Sequence, residues 1–533
     1  MRLTRLKVEN HKRLADLEIE VRDHLVLVGA NDVGKSSLLR CLDLLLGAST
    51  AQLYSHISAE DFRALDQPFV IEATLADFSA DETALFPDEI DTTVTPSVLV
   101  IRLAAEVDPN GTVAITRSAP KLNTGRQLSR EQLTGLGWKF LSATAQTRDL
   151  RDGRKSAVDD LLASVDLGEE RDSFKAVTER FQEALAGSET LGEMRDSLAS
   201  QLSRALPKTI QKDDLSFVSR ASADDDPLSD VRLRVQKDGA AHDLAEQSDG
   251  TRALYAIALY DLMSVGSNVV GIDEPEVHLH PTSQRSLARL LKQGANQKIL
   301  ATHSPDIVGV FDPDSIVVVK SGGKIVQPRA GFMSDDEKQF VRWWVRDKLE
   351  PLTATRVVAV EGVSDRIILE RAADLTNRQL DRLGVSVLEV GGSGDMGVID
   401  KLFGKSGFNI PMTLLIDADA EVETAKKLRV APADLPAQHV WVSRRDLEAE
   451  YVRALGVGRA WEALTGSGLL TKTQLGLCGT SGPSGERTID DVAEFCRMKK
   501  HKVPAALSIA AVLDEADVVS ITSIENVLAE VAA

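Results

Sequence analysis

The chain has 533 residues, of which 43% are hydrophobic and 27% charged, so it can form several globular cores of ordinary composition. A net charge of −19 argues against a uniformly basic nucleic-acid coat, so contact with DNA would need local basic patches or metal ions. We find no apolar run long enough for a membrane span, no secretory leader and no disulfide or zinc spacing among the three cysteines, and therefore expect a cytoplasmic protein without membrane partners.

The N-terminal residues predict a β-hairpin that leads into a phosphate-binding loop. Apolar residues alternate over residues 3–21, and the buried strand Leu25–Val28 follows. Residues Gly29–Ser36 fit the pattern G-x-x-x-x-G-K-[ST], and an apolar helix comes next. A Gly-rich turn without function would not require this order of strand, loop and helix, so we expect a nucleotide site.

The residue types in this loop suit ATP and Mg²⁺. Backbone N–H groups of the loop and of the helix start are expected to surround the phosphates; the residues concerned are Gly29, Asn31, Gly34 and Ser37. Lys35 supplies a point charge to the β- and γ-phosphates, and the hydroxyl of Ser36 ligates one Mg²⁺.

The middle of the N-terminal half changes character twice. Residues 68–145 are mostly β in pattern, whereas residues 150–210 are helical and strongly charged. The helical part is either a solvated layer on the core or an arm that mediates dimerisation or contacts DNA, and solvated layers are the commoner outcome. Strand character returns at Val231–Val235.

A second nucleotide-site element follows at residues 269–303. The apolar strand Val269–Ile272 ends in Asp273 and Glu274, where Asp273 can hold Mg²⁺ and Glu274 can polarise the attacking water. The next strand ends in His303, which is well placed to touch the γ-phosphate. A mere acidic turn would not explain this succession.

A third element, Gln247–Arg252, opens a helix with Ser248 and Gly250 and offers another anion site. Together these elements resemble the ABC-type ATPases of the RecF and SMC kind. The resemblance implies two ATP molecules between two heads, hence a homodimer or a higher even-numbered oligomer. The signature reads SDGTR rather than the family's usual SGG, and the glutamine of the family's Q-loop is either Gln67 or Gln146.

The C-terminal half contains strands that end in acids. A buried strand, Val357–Val360, ends in Glu361 and Gly362 and precedes a helix; another, Leu414–Ile416, ends in Asp417 and Asp419. Strand side chains alternate, so we expect both aspartates on one side, where a hard divalent cation would relieve their repulsion. Asp-x-Asp alone would favour a capped turn, but the earlier Glu-Gly strand and the Gly-rich exit after Leu388–Val390 resemble a Toprim domain.

The whole chain resembles the overcoming-lysogenization-defect (OLD) nuclease family, to which the Gabija nuclease subunit is related. The implied fold is α/β: a RecF/SMC-like ABC ATPase head with an inserted helical arm, followed by a Rossmann-like Toprim domain. The implied boundaries are 1–150 and 216–350 for the ATPase, 151–215 for the insertion, and 351–533 for the Toprim domain with a helical C-terminus.

The resemblance also assigns residues to a site with two Mg²⁺ or Mn²⁺ ions. Glu361, Asp417 and Asp419 would hold one ion, and Asp365 would help to hold the second. Asp446 and Glu448 resemble the family's additional acidic pair, although acids that begin a helix are nearly as good an interpretation. The family's late catalytic lysine would be Lys502, which we favour over Lys500; a solvated charge run is the alternative.

The implied activity is ATP hydrolysis together with metal-dependent cleavage of DNA, in antiviral defence and with a helicase as a further partner. One alternative is a Toprim topoisomerase or primase, and strand passage would require a nucleophilic tyrosine among Tyr54, Tyr255, Tyr260 and Tyr451. The other alternative is a RecF-like, ATP-driven DNA-binding scaffold whose Toprim domain is inactive.

Overall fold

The computed structural model divides the chain into two compact units. The first comprises Met1–Gln327 and Lys338–Asp347, and the second Pro328–Glu337 and Lys348–Ala533. The structure describes residues 1–120, 127–141, 180–181, 183–205, 208–219, 231–237, 240–243, 248, 250–251, 254, 267–347, 349–390 and 396–533. Within these residues, no helix has the length and apolarity that a membrane crossing requires.

The first unit contains strands β1 to β14 and most of helices α1 to α8. The strands are β1 (Arg2–Glu9), β2 (Leu17–Glu20), β3 (Leu25–Val28), β4 (Phe69–Ala76), β5 (Leu99–Val107), β6 (Val113–Ser118), β7 (Trp138–Leu141), β8 (Leu215–Ser219), β9 (Val231–Lys237), β10 (Ala240–Asp243), β11 (Val269–Asp273), β12 (Gln297–Thr302), β13 (Ile316–Lys320) and β14 (Lys324–Val326). The helices are α1 (Lys35–Leu46), α2 (Thr50–His56), α3 (Ala80–Leu85), α4 (Arg130–Gly135), α5 (Glu189–Ala205), α6 (Pro281–Gln293), α7 (Pro305–Val308) and α8 (Asp335–Asp347).

Two sheets enclose α1. The antiparallel sheet has the order β2-β1-β4-β5-β6 and includes the N-terminal hairpin that the sequence predicts. The second sheet has the order β14-β13-β3-β12-β11-β7, and all its pairs are parallel except β13 with β14. Because α1 contacts strands of both sheets, all six of its leucines are buried, and only Arg40 and Asp43 interrupt the apolar residues after Ser37.

The predicted insertion at 151–215 lies partly outside the described residues. Its described helix, α5, packs on α6 and β8 and buries Leu198 and Leu202, while Met194 is exposed. This part of the segment therefore forms a layer on the first unit, and β8, β9 and β10 form a small antiparallel sheet after it.

The described residues of the second unit form four strands and helices α9 to α18. The strands are β15 (Arg356–Val360), β16 (Val385–Glu389), β17 (Met412–Asp417) and β18 (Val440–Ser443). The helices are α9 (Glu350–Thr353), α10 (Val363–Leu375), α11 (Met396–Phe403), α12 (Glu421–Leu428), α13 (Leu447–Gly466), α14 (Lys472–Leu475), α15 (Ile489–Arg497), α16 (Lys502–Ala510), α17 (Glu515–Ser520) and α18 (Thr522–Ala532).

The four strands form an all-parallel sheet in the order β16-β15-β17-β18. Parallel neighbours end at the same edge, so residues after β15, β17 and β18 are brought together there. Glu530 of α18 connects these three strands, because its carboxylate accepts hydrogen bonds from Arg356 at 2.5 Å, Thr413 at 2.8 Å and Trp441 at 2.6 Å.

Candidate functional site

The phosphate loop lies between β3 and α1, where backbone geometry restricts the residues. A Cβ on Gly29 would stand 2.3 Å from the carbonyl oxygen of Val319, and Gly34 has a left-handed φ of 112°. Lys35 Nζ donates to the carbonyl oxygens of Gly29 at 2.9 Å and Ala30 at 2.7 Å. Burial lowers the pKa of Lys35 by disfavouring its ammonium form, and negative charge bound beside it would stabilise that form.

The acids after β11 face this loop, because β3, β12 and β11 are adjacent parallel strands. Ser36 Oγ donates to Asp273 Oδ1 at 3.1 Å, so the two side chains predicted to share Mg²⁺ are in contact. Burial raises the pKa of Asp273, and the neighbouring carboxylates of Glu274 and Glu276 add to this. A cation bound beside such a carboxyl group would stabilise its charged form.

His303 has a partner that the sequence analysis did not assign. Glu276 Oε1 accepts the backbone N–H of His303 at 2.8 Å and lies 3.2 Å from its Nδ1. The side chain of His303 is 51% exposed, and Glu276 is buried with Oε2 lacking a hydrogen-bond partner. The signal was a third acid, three residues after Asp273, in the turn that precedes α6.

The structure describes only some of the other residues that are predicted to bind the nucleotide. Asn31 is exposed in the loop, and Ser37 is partly buried in the first turn of α1. Gly250 lies close to the turn after β11, since a Cβ there would stand 2.4 Å from the carbonyl oxygen of His278. Ser248 Oγ accepts the N–H of Thr251 at 3.3 Å. The remaining signature residues, 247, 249 and 252, and Gln146 lie outside the described residues.

In the second unit, carboxylates from several elements form one cluster at the carboxyl edge of the sheet. Glu361 Oε1 accepts the backbone N–H of Asp417 at 3.2 Å, so the acids after β15 and β17 are adjacent. Asp365, 7% exposed in the first turn of α10, accepts the N–H of Gly362 at 3.0 Å. We name Glu361, Asp365, Asp417 and Glu448 the carboxylate cluster; the sequence analysis assigned all four to metal binding, and the structure places them at this edge.

Glu448 and Lys502 complete this arrangement. Glu448 is 1% exposed, its Oε1 lies 3.4 Å from Lys502 Nζ, and its Oε2 has no hydrogen-bond partner. Lys502 is half-buried at the start of α16, whereas Lys499 and Lys500 are exposed. The structure therefore brings Lys502, and not Lys500, to the cluster.

The cluster is electrostatically crowded. Burial raises the pKa of Asp417 to about 8, and the charges of Glu361, Glu448 and Asp365 contribute. Burial likewise raises the pKa of Glu361, Asp365 and Glu448. Burial alone would lower the pKa of Lys502, but the carboxylates outweigh it and raise that pKa. One lysine offsets only part of this negative charge.

Two predicted positions differ from the expected geometry. The alternation argument for Asp419 is wrong, because β17 ends at Asp417 and residues Ala418–Ala420 form a 3-10 turn that leaves Asp419 exposed. Asp446 caps α13 by accepting the N–H of Ala449 at 2.8 Å and forms an ion pair with Arg497, so it behaves as a helix-start acid. Glu450 accepts the backbone N–H of Arg444 at 2.6 Å, which fixes the same turn, and the backbone N–H of Ser523 at 3.1 Å.

The stability of the metal-free protein should depend on pH through Asp417. Its pKa of about 8 exceeds the unfolded value of about 3.9, so the folded state binds this proton more tightly and loses stability as pH rises. In chelator, we expect the urea midpoint to fall between about pH 4 and pH 8, and Asp417→Asn to flatten that fall. A variant whose pH profile parallels that of the wild type would contradict this assignment.

Tyr451 bears on the topoisomerase alternative. It is 2% exposed in the core of the second unit, where a phosphodiester cannot reach its hydroxyl. Tyr54 is exposed but belongs to the first unit, and Tyr255 and Tyr260 lie outside the described residues. The described part of the second unit therefore offers no nucleophilic tyrosine beside the carboxylate cluster.

The fold and these two sites define an ATPase joined to a Toprim domain. Residues 25–309 match the family model described as "AAA domain, putative AbiEii toxin, Type IV TA system", and residues 352–419 match that of the "Overcoming lysogenization defect protein-like, TOPRIM domain". The chain belongs to this AAA-domain family and shares the ATPase–Toprim organisation of OLD nucleases. The predicted fold class and the predicted OLD relationship are confirmed.

Relatives extend over most of the chain. It is 24% identical over 510 residues to the OLD nuclease of Thermus scotoductus, covering 86% of this chain and 92% of that protein. It is 20% identical over 421 residues to endonuclease GajA of Bacillus cereus, covering 74% of this chain and 71% of that protein. A solved SMC head bound to the C-winged helix domain of ScpA matches with a TM-score of 0.42 and 17% identity, over 61% of this chain and 97% of that chain.

Proposed function

We propose that this protein is an ATP-hydrolysing, divalent-metal-dependent DNA endonuclease. The observation that carries the proposal is the convergence of Glu361, Asp365, Asp417 and Glu448 around Lys502 at one edge of a parallel sheet. The names of the two relatives support DNA cleavage as the reaction.

The donor chemistry of the cluster fits hard divalent cations. All its donors are carboxylate oxygens, which Mg²⁺ and Mn²⁺ prefer, and Glu448 Oε2 is buried without a partner. Among the described residues, no three such side chains are already arranged to hold an ion, so their rotamers must change on binding. We assign Glu361, Asp417 and Asp419 to one ion, and Asp365 and Glu448 to a second.

The residues of the chain have distinct tasks in this proposal. Two divalent ions supply charge neutralisation for the attacking and leaving oxygens of an in-line displacement. Glu361 and Asp417 would hold an ion at the strand ends, and the ammonium of Lys502 stabilises charge that develops on the phosphate. At the other site, Lys35 binds the ATP phosphates, while Glu274 orients the attacking water and His303 contacts the γ-phosphate.

The wider setting completes the proposal. Paired heads in a homodimer, or in a higher even-numbered oligomer, would enclose two ATP molecules with one Mg²⁺ each, and their closure would gate access to DNA. We place this activity in the cytoplasm and in antiviral defence, with a helicase as a candidate partner. The OLD resemblance supports these assignments.

Lys502→Met should lower the rate of DNA nicking on the order of a hundredfold, because it removes the only cation that the described residues place against Glu448. The same change should lower the thermal midpoint in chelator, since a buried carboxylate loses its partner. Lys500→Met, at an exposed position, is the matched control. Equal effects of the two changes on nicking would exclude a specific role for Lys502.

Nicking of supercoiled plasmid by the wild-type protein tests the proposed activity. We expect relaxed and linear products with Mg²⁺ or Mn²⁺ and none with chelator. DNA binding without cleavage under either ion would favour the ATP-dependent scaffold instead. Protein that remains covalently attached to DNA after a denaturing quench would favour a topoisomerase.

A further inference from the structure

A cavity of about 830 Å³ adjoins the carboxylate cluster in the second unit. It is lined by β15, β17, the C-terminal end of α11 and the helix α12. Glu361 and Asp419 belong both to this cavity and to the proposed metal site. A ligand held at the carboxylates therefore extends directly into the cavity.

The lining of the cavity changes from apolar at the floor to polar at the rim. Buried side chains on one face of the sheet form an apolar floor, principally Ala359, Leu414 and Ile416. The volume falls within the range of about 300–1,000 Å³ that is usual for small-ligand sites. An apolar floor of this kind suits a flat, weakly polar group.

The rim of the cavity is polar and carries charges of both signs, since the carboxylates of Glu361, Asp419 and Glu423 also line it. Asn409, Thr424 and Gln438 present groups that can donate or accept hydrogen bonds, and Lys405 and Lys427 carry ammonium groups. Lys427 Nζ lies 2.8 Å from Glu423 Oε1, so its ammonium is held at the mouth of the cavity. Such a rim suits the edge of a nucleobase and a neighbouring phosphate.

We propose that this cavity binds the sugar and base of an unpaired nucleotide next to the phosphodiester at the carboxylate cluster. The proposal rests on one part of the proposed function, the binding of a DNA phosphodiester at the carboxylate cluster, because covalent continuity with that phosphodiester is what brings a nucleotide to the cavity. A base inside a duplex is stacked and paired and would have to leave the helix to enter. Gapped, frayed or single-stranded DNA is therefore the substrate class that the site favours.

Thr424→Trp tests this assignment by filling the cavity from α12. The probe is gapped DNA with 2-aminopurine in the gap, and Ca²⁺ replaces Mg²⁺ to prevent cleavage. We expect Thr424→Trp to weaken binding at least about tenfold and to remove the fluorescence change. The matched control is Val422→Trp, 70% exposed on the same helix and outside the cavity, with an effect below about twofold. Equal binding by the two variants would overturn the proposal.

Charge reversal at an exposed lysine leaves the core unchanged, so it provides a second test that does not depend on how a tryptophan is accommodated. Lys405→Glu changes an exposed rim residue and should weaken binding of the gapped probe, whereas Lys426→Glu, exposed on α12 but outside the cavity, should do so much less. Competition between free dAMP and the gapped probe distinguishes a site for a free mononucleotide from a site for DNA. Thr424-dependent binding of dAMP without Thr424-dependent binding of the gapped probe would overturn the assignment to DNA.

The two proposals can fail separately. If the wild type cuts no DNA but binds the gapped probe in a Thr424-dependent way, the nuclease function fails and the cavity assignment stands. If it cuts paired and gapped DNA equally and Thr424→Trp has no effect, the cavity assignment fails and the nuclease function stands.

Discussion

Asp417→Asn is expected to lower the rate of plasmid nicking by roughly a thousandfold or more at saturating Mg²⁺. Asp417 ends β17, contacts Glu361 through its backbone and accepts the N–H of Leu447 at 3.1 Å through its side chain. The amide preserves shape but removes the charge that would hold a cation. Since the carboxylates repel one another, the variant should also be at least as stable as the wild type in chelator.

The combination of lost nicking with retained stability separates catalysis from folding. Asp434→Asn, an exposed acid of the same unit, is the matched control and should change neither property. ATP hydrolysis by Asp417→Asn should stay at the wild-type rate. Wild-type nicking by Asp417→Asn would refute the role of this cluster in cleavage.

Lys35→Ala is expected to lower the rate of ATP hydrolysis on the order of a thousandfold and to weaken nucleotide binding. Its ammonium lies at the centre of the phosphate loop, held by two backbone carbonyls that would be released when phosphates enter. Colorimetric phosphate release and binding of a fluorescent ATP analogue measure the two effects.

Lys12→Ala, at an exposed position near the N-terminal hairpin, is the matched control. The comparison also tests gating. If ATP changes nicking by the wild type but not by Lys35→Ala, the heads control access to DNA. Unaltered ATP hydrolysis in Lys35→Ala would refute the nucleotide site.

The strand ends could be predicted from the sequence because each motif is local. A short apolar segment predicts a buried strand, and the motif after it marks where the strand ends, as with Gly29–Ser36, Asp273 and Glu361. Parallel pairing within each sheet then brings the ends of neighbouring strands together. The same local logic failed at Asp419, where sequence spacing cannot reveal that β17 stops at Asp417.

Other parts of the site depend on tertiary contacts that spacing does not encode. Glu448 becomes a cluster member only because Asp446 caps α13 and turns its first residues inward. Lys502 comes from α16, which packs on α10 and α13 far along the chain. The pairing of Glu276 with His303 joins the ends of β11 and β12, and it can be predicted only when the strand order is known.

The carboxylate of Glu530 has a consequence for biosynthesis. It bonds residues of β15, β17 and β18 from a helix that is translated after all of them. A nascent chain that has emerged only as far as β18 lacks this anchor, and also Lys502 and Ser523. We therefore expect the four-strand sheet and its carboxylate edge to be completed only after α18 has been synthesised.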